Sequence, residues 1–341
     1  MNTSLLVAVV GAGYFSQFHL DAWQRLEVSL VAICDKESAK GKAAAEAFAI
    51  PAVYQDLEQM LESEQPDLLD IVTTPATHLG LIRAAATRGI HAVCQKPFTL
   101  GLAEAEQAVA TAADAGTFLA VHENFRFQPW YGQIKQVLDE GILGEPYQIS
   151  FRLRPGDGQG PDAYLARQPY FQAMERFLVH ETAIHLVDVY RFLFGEVRTV
   201  WAQLTRLNPV IAGEDAGIIV FEFENARRGI FDGNRLVDHP ARNRRLTMGD
   251  LLLEGSAGVL RLDGDGRIFL RAFENNLEEE RQYQWEDRGF GGDSVYNLQK
   301  SIVQHLSSGS PLDNTAQDYL TNLRVEEAIY KSSASGARVS L

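Results

Sequence analysis

An apolar run of strand length, Leu5–Val10, stops at Gly11-Ala12-Gly13-Tyr14-Phe15-Ser16, and the alternation it begins dominates the next hundred-odd residues. Val28–Cys34, the short Ala52–Tyr54, Leu68–Thr73, His91–Cys94 and Phe118–Val121 are further apolar runs of strand length, several rich in Val and Ile. Between them lie stretches of helical composition, notably Lys36–Phe48, Leu79–Arg88 and Leu102–Ala115. Parallel neighbours need a crossover of helix length, so this alternation predicts a doubly wound parallel sheet with helices on both faces.

After residue 122 the pattern changes. A helix over Tyr131–Asp139 ends at Gly141, a strand follows over Tyr147–Leu153, and a Gly/Pro-rich loop runs from Pro155 to Pro161. An apolar helix is predicted over Phe177–Phe194. From Val197 strands follow one another without helices between them: Ala216–Glu224, Arg228–Asn234, Asp250–Glu254, Val259–Leu262 and Arg267–Ala272. Consecutive strands imply an antiparallel meander. Helices near Val295–Leu306 and Ala316–Ser332 close the chain. The 341 residues exceed what one ordinary core holds. The expected division is a Rossmann-type domain over 1–122 and an α+β domain with an open, mostly antiparallel sheet over 123–341.

Composition narrows the partners. With 31 Lys and Arg against 45 Asp and Glu, the formal charge is −14. That balance repels phosphate backbones and anionic lipid, so no nucleic-acid or membrane partner is expected. Met1-Asn2-Thr3-Ser4 lacks a basic leader, and Leu5–Val10 is too short to export or span. Cys34 and Cys94 sit in apolar runs and read as small buried hydrophobes of a reducing compartment, which makes the cytoplasm the expected location.

The glycine segment carries the first functional hint. Gly11 permits a tight turn, and Gly13 lets backbone approach a pyrophosphate at the following helix N-terminus. Ser16 takes the place of the third glycine of the usual fingerprint. Alone this is a weak pattern, equally a Gly-rich turn. Asp35 ends the second strand, where an acidic residue accepts hydrogen bonds from the adenosine ribose. Its charge would repel a 2′-phosphate, which favours NAD over NADP; Lys36 partly offsets this, and a plain strand-end cap is the structural alternative.

Three more segments complete a resemblance that covers nearly the whole chain. They are Thr74-Pro75-Ala76-Thr77-His78 after the fourth strand, Cys94-Gln95-Lys96-Pro97 at the end of the fifth, and His180-Glu181-Thr182-Ala183-Ile184-His185-Leu186-Val187-Asp188. With the glycine turn and the closing helix, the chain resembles the Gfo/Idh/MocA oxidoreductases. The resemblance implies an active-site lysine, Lys96, a catalytic acid/base, His185, and a neighbouring acid, Glu181. It implies a cofactor surface drawn from Gly11, Gly13, Tyr14, Phe15, Asp35, Lys36, Thr73, Thr74, Pro75, His78, Gln95, Lys96 and Asn124. Gln95 departs from the family's usual glutamate, and Ala183 from a common glycine; the first alters nicotinamide contacts or the charge around Lys96.

The residues support the same site independently. On an α-helix at about 100° per residue, Glu181, His185 and Asp188 fall within roughly 60° of one another. A polar stripe on an otherwise apolar helix costs free energy unless it is satisfied, and a cleft facing a cofactor satisfies it. A histidine in such a run is otherwise a satisfied core residue, and Lys96 an ordinary strand end. Alcohol oxidation needs a base for the hydroxyl proton, a task suited to histidine, and a donor for the developing alkoxide, suited to lysine. His180 and His185 are five apart and would not share a helix face, so no metal site is expected.

Substrate contacts are less sharply marked. Arg126, Arg154, Arg167 and Tyr170, with Arg152, Tyr164 and Arg176 nearby, concentrate positive charge in an acidic chain and point to an anionic or hydroxyl-rich small molecule; surface ion pairs explain any single one. The expected activity is hydride transfer between a sugar, inositol or sugar acid and NAD. Oxidation of a cyclic dihydrodiol, NAD-dependent glycoside cleavage and a non-catalytic NAD-sensing role remain open. The strand Ala216–Glu224 carries apolar side chains on both faces, Ile219, Phe221 and Phe223 against Ile218 and Val220. One face therefore needs a second subunit, and a homodimer or homotetramer through this sheet is expected.

Overall fold

In the computed structural model, residues 4–312 and 314–341 are described; Met1–Thr3, on which part of the leader reading rests, lie outside them. The chain forms two compact units, 1–124 with 294–323, and 125–293 with 324–341. The first unit is discontinuous in sequence, because the segment 294–323 returns to it.

The first unit is built on six strands: β1 (Leu5–Val10), β2 (Val28–Cys34), β3 (Ala52–Tyr54), β4 (Leu68–Ile71), β5 (His91–Gln95) and β6 (Leu119–His122). Between them run α1 (Ser16–Gln24), α2 (Ser38–Ala47), α3 (Leu57–Glu64), α4 (Pro75–Ala86) and α5 (Leu102–Asp114). All pairings are parallel, in the order β3-β2-β1-β4-β5-β6. This is the doubly wound topology the alternation predicts, and its order reverses between β1 and β4, beside the glycine turn. Val7–Val10 and all of β4 are buried, as both-sided helix cover demands of central parallel strands.

The second unit begins with α6 (Pro129–Asp139) and β7 (Pro146–Leu153). A π-helical turn, Leu178–Ala183, leads into α7 (Ile184–Phe194), followed by β8 (Val197–Thr205), β9 (Ala216–Phe223), β10 (Arg228–Asn234), β11 (Gly249–Gly255), β12 (Gly258–Leu262), β13 (Ile268–Ala272) and β14 (Glu279–Arg281). After α8 (Ser294–Ser308) and α9 (Ala316–Ser335), β15 (Val339–Ser340) completes a nine-stranded sheet. The meander is interrupted once: β7 lies between β10 and β11 and runs parallel to β10. Inward residues Phe151, Ile219, Phe221, Phe223, Phe231 and Leu253 pack with Leu186, Val189 and Tyr190 of α7 into one core. Each such side chain taken from water contributes about 1.5–3 kcal/mol.

Two glycines let α7 and the π turn sit close on the sheet. A Cβ on Gly229 would come within 3.0 Å of the Tyr190 ring, and one on Gly233 within 2.9 Å of Leu178. Among the described residues no helix is long and apolar enough to cross a membrane.

Candidate active site

The first unit gathers its candidate residues on one edge, because all six strands are parallel and their carboxyl ends face the same way. Gly11 follows β1 with φ +104°, and a Cβ there would lie 2.4 Å from the Val72 carbonyl oxygen. Only glycine fits between the two strand ends. Gly13 is the opposite case: a Cβ would meet nothing within 4 Å, so the face beside the α1 N-terminus is open. Backbone exposed to open space at a helix start fits a pyrophosphate. Ser16 does more than stay small, since its hydroxyl donates to the Gly13 carbonyl at 2.7 Å. Tyr14 is half exposed beside the turn, and Phe15 packs on Phe18.

Asp35 is bound into this turn. One carboxylate oxygen accepts from the Ala12 N–H at 2.7 Å, the other from the Glu37 N–H at 2.8 Å. Each oxygen keeps further acceptor capacity for ribose hydroxyls. Lys36 is exposed next to it. Cys34, just before, is a buried free thiol whose pKa burial and then Asp35 push up to about 11.

The β4–α4 connection places Thr73 and Thr74 on the same edge, with Pro75 as the first helical residue and Thr73 Oγ1 2.7 Å from Thr77 Oγ1. His78 is placed differently from the expectation. It is fully buried, its ring nitrogens lie 2.8 and 3.2 Å from the carbonyls of Phe98 and Thr73, and burial lowers its pKa. It ties two loops together beneath the edge. Asn124 is likewise turned inward, donating to Ser294 Oγ at 2.8 Å. Lys96 is partly exposed just past the end of β5, while Gln95 is nearly buried. The Gln95 amide is engaged within the unit, by the Lys96 N–H at 2.7 Å and His19 Nε2 at 2.9 Å, so it underlies the lysine.

In the second unit the expected continuous α-helix over 177–194 starts as a π turn. The i→i+5 turn is wider, so the 100° projection holds only from Ile184 onward. Glu214, in the β8–β9 connection, holds this start: its Oε1 accepts from the N–H groups of Phe177 and Val179 at 3.2 and 3.1 Å, and from the Tyr330 hydroxyl at 2.7 Å. His185 lies in the first turn of α7, 4% exposed, its ring stacked flat on Phe125 at 3.8 Å. His180 instead faces Glu326 at 2.7 Å.

Glu181 projects from the π turn to Arg235, which sequence reasoning missed. Arg235 is 1% exposed and packed against the rings of Tyr164, Phe171 and Phe177. It donates to Thr182 Oγ1 at 2.5 Å, Tyr164 Oη at 2.8 Å and Asp157 Oδ2 at 3.0 Å, and lies 3.9 Å from Glu181. Burial opposes its charge, but Asp157, Tyr164 and Glu181 outweigh it and raise its pKa. Thr182 Oγ1 in turn donates to Glu181 at 2.8 Å. The inward alternation Gly229, Phe231, Gly233 continues to position 235, so an arginine at a core-facing position was the available signal.

The expected arginine cluster divides. Arg167 joins the Arg235 network through Asp157 at 3.3 Å. Tyr170 stands near it: the residue is 56% exposed, yet burial at its hydroxyl end and then the Glu181 charge raise its pKa. Arg126 does not join; its guanidinium makes a two-pronged pair with Asp188, 2.6 Å on each side. That pair satisfies the third member of the polar stripe internally. Arg154 clamps Asp232 at 2.6 Å, Arg152 lies 3.2 Å from Asp250, and Arg176 pairs with Glu327, so these brace the sheet and α9.

The open glycine turn, its tied carboxylate and the lysine on the same strand edge define a dinucleotide-binding oxidoreductase unit. Comparison with known proteins bears this out: "Oxidoreductase family, NAD-binding Rossmann fold" matches residues 5–123, and "GFO/IDH/MocA C-terminal domain" matches residues 131–258. The chain is 35% identical to a D-apiose dehydrogenase of Paraburkholderia graminis, over 98% of this chain and 89% of that protein. It is 31% identical to a D-apiose dehydrogenase of Rhizobium rhizogenes, over 99% and 98%. An oxidoreductase from Agrobacterium radiobacter, solved with NAD+, L-tartaric acid and magnesium, superposes with a TM-score of 0.88 at 30% identity, covering 99% of this chain and 98% of that one. The protein belongs to the Gfo/Idh/MocA family of NAD-binding sugar and polyol dehydrogenases.

Proposed function

We propose that the protein oxidises a CH–OH carbon of a small sugar, D-apiose or one of similar size and hydroxyl pattern, with NAD rather than NADP as acceptor. The observation that carries the reading is the shared edge of the first sheet, where the open Gly13 face, Asp35 and Lys96 all lie at strand carboxyl ends. The substrate class rests on two D-apiose dehydrogenases at 31–35% identity along nearly the full chain.

NAD supplies the hydride acceptor. Asp35 would hold its adenosine ribose, and the Gly11–Phe15 turn its pyrophosphate. Lys96 donates to the substrate oxygen and stabilises alkoxide as the C–H bond is lost. His185 takes the hydroxyl proton, its ring orientation fixed by the Phe125 stack. Glu181, held by Thr182 and Arg235, supplies the carboxylate beside that chemistry, with Arg167 and Tyr170 as the substrate-facing neighbours. The buried thiols Cys34 and Cys94 support a cytoplasmic setting.

The test is NADH formation across D-apiose, other aldoses, myo-inositol, sugar acids and L-tartrate. D-Apiose should give the highest kcat/KM, and Lys96→Ala and His185→Ala should each lower kcat by about 100-fold or more while NAD affinity changes little. Near-wild-type turnover in either variant overturns the assignment. Sugar release from a glycoside without net NADH would replace dehydrogenation by cleavage.

A further inference from the structure

Beneath Lys96 runs a chain of polar groups that the proposed chemistry does not use. The Lys96 backbone N–H can only donate, and it meets Gln95 Oε1 at 2.7 Å. This fixes the amide, so that its NH2 group faces His19 Nε2 at 2.9 Å. An amide NH2 can only donate, so His19 Nε2 must accept and the ring proton must lie on Nδ1. Nδ1 is 2.8 Å from Asp70 Oδ2, which also accepts from Trp23 Nε1 at 2.7 Å. His19, Trp23 and Asp70 are fully buried. One backbone N–H thus dictates a tautomer two side chains away.

Three further groups pack around His19: a second imidazole, the Asp70 carboxylate and a thiol. His122 of β6 stacks on it at 4.0 Å, and neither of its ring nitrogens has a hydrogen-bond partner among the described residues. Burial, and then His19, hold the His122 pKa well below the usual histidine value, so His122 is an uncharged ring against His19. Asp70 of β4 is the carboxylate against His19, and Cys94 of β5, kept as a thiol by burial and then by Asp70, adds no charge.

We propose that Gln95 and His19 are positioning residues for Lys96, and that glutamine at 95 completes their chain of hydrogen bonds with no second proton on His19. A glutamate in the same place needs one more proton, on His19 Nε2, to keep every bond. Two carboxylates with an imidazolium carry one net negative charge, as do one carboxylate, one amide and a neutral imidazole. The glutamine therefore removes a carboxylate and a proton together: the net charge of the chain is kept and every bond is made without the added proton. The kinetic part rests on Lys96 being the reacting lysine; the tautomer part does not.

The direct test is 15N NMR of the histidine rings in the wild-type protein, with His19 assigned by its loss in His19→Gln. His19 should carry its proton on Nδ1 with Nε2 unprotonated, and in Gln95→Glu it should become doubly protonated. In turnover, Gln95→Glu should lose activity as pH rises and the added His19 proton leaves, an alkaline limb absent from wild type. Gln95→Leu should lower kcat about 10- to 100-fold, as a slightly misplaced lysine would, with NAD affinity by fluorescence nearly unchanged. A wild-type His19 that is doubly protonated, or protonated on Nε2, overturns the proposal. So does Gln95→Leu with wild-type kcat and pH profile while Lys96→Ala is inactive. If Lys96→Ala is itself active, the lysine assignment fails and the NMR result still decides the chain.

Discussion

Replacing Arg235 by methionine should be the most destabilising single change near the candidate site. The guanidinium is 1% exposed and engages Asp157, Thr182 and Tyr164 by hydrogen bonds, with Glu181 at 3.9 Å. Removing one partner of a buried ion pair costs about 3–5 kcal/mol, because the remaining charge is left without compensation. Two features place this case at the lower end. Asp157 is partly exposed and keeps Arg167 at 3.3 Å, and a methionine fills much of the slot between the three aromatic rings. The expected loss is about 3 kcal/mol, a large part of a typical 5–15 kcal/mol total. In urea, with a slope near 3 kcal/mol per molar for a chain of this size, the midpoint should fall by about 1 M. Asp157→Asn should couple to it, so that the double variant is less destabilised than the sum of the singles. A midpoint shift under about 0.3 M, or strict additivity, would refute the view that Arg235 is held there by its charge partners.

Two further outcomes follow from the first sheet and the second. Asp35→Asn keeps an acceptor for the Ala12 N–H but removes the charge, so discrimination against NADP should fall about tenfold or more in Kd ratio; an unchanged ratio would make Asp35 purely a brace of the turn. The outward side of β9 and β11 presents Ile218 and Leu252, each more than one-third exposed, so we expect self-association through this face; Ile218→Asp should shift sedimentation toward monomer, and a wild-type monomer at micromolar concentration would reject the interface.

What the sequence revealed of this fold and site was whatever is encoded locally. Alternation of period two, the glycine turn and the acid ending β2 each depend on residues near one another in the chain, and each was legible. What escaped depends on partners far away in sequence. The segment 178–183 has the composition of any apolar helix; its π turn is held by Glu214, more than thirty residues on, whose approach requires Gly213, where a Cβ would come within 2.6 Å of the Met174 carbonyl. Asp188 read as the third member of a polar stripe facing a cleft because nothing local shows that Arg126 pairs with it. Arg235 was passed over because a lone arginine after a strand is ordinarily solvated, and only its phase in the inward alternation marked it. The same reasoning explains Gln95. Read beside Lys96 alone, it is a lost carboxylate; read with His19 and Asp70, it is a neutral side chain that both accepts from the Lys96 N–H and donates to a histidine already committed to an aspartate.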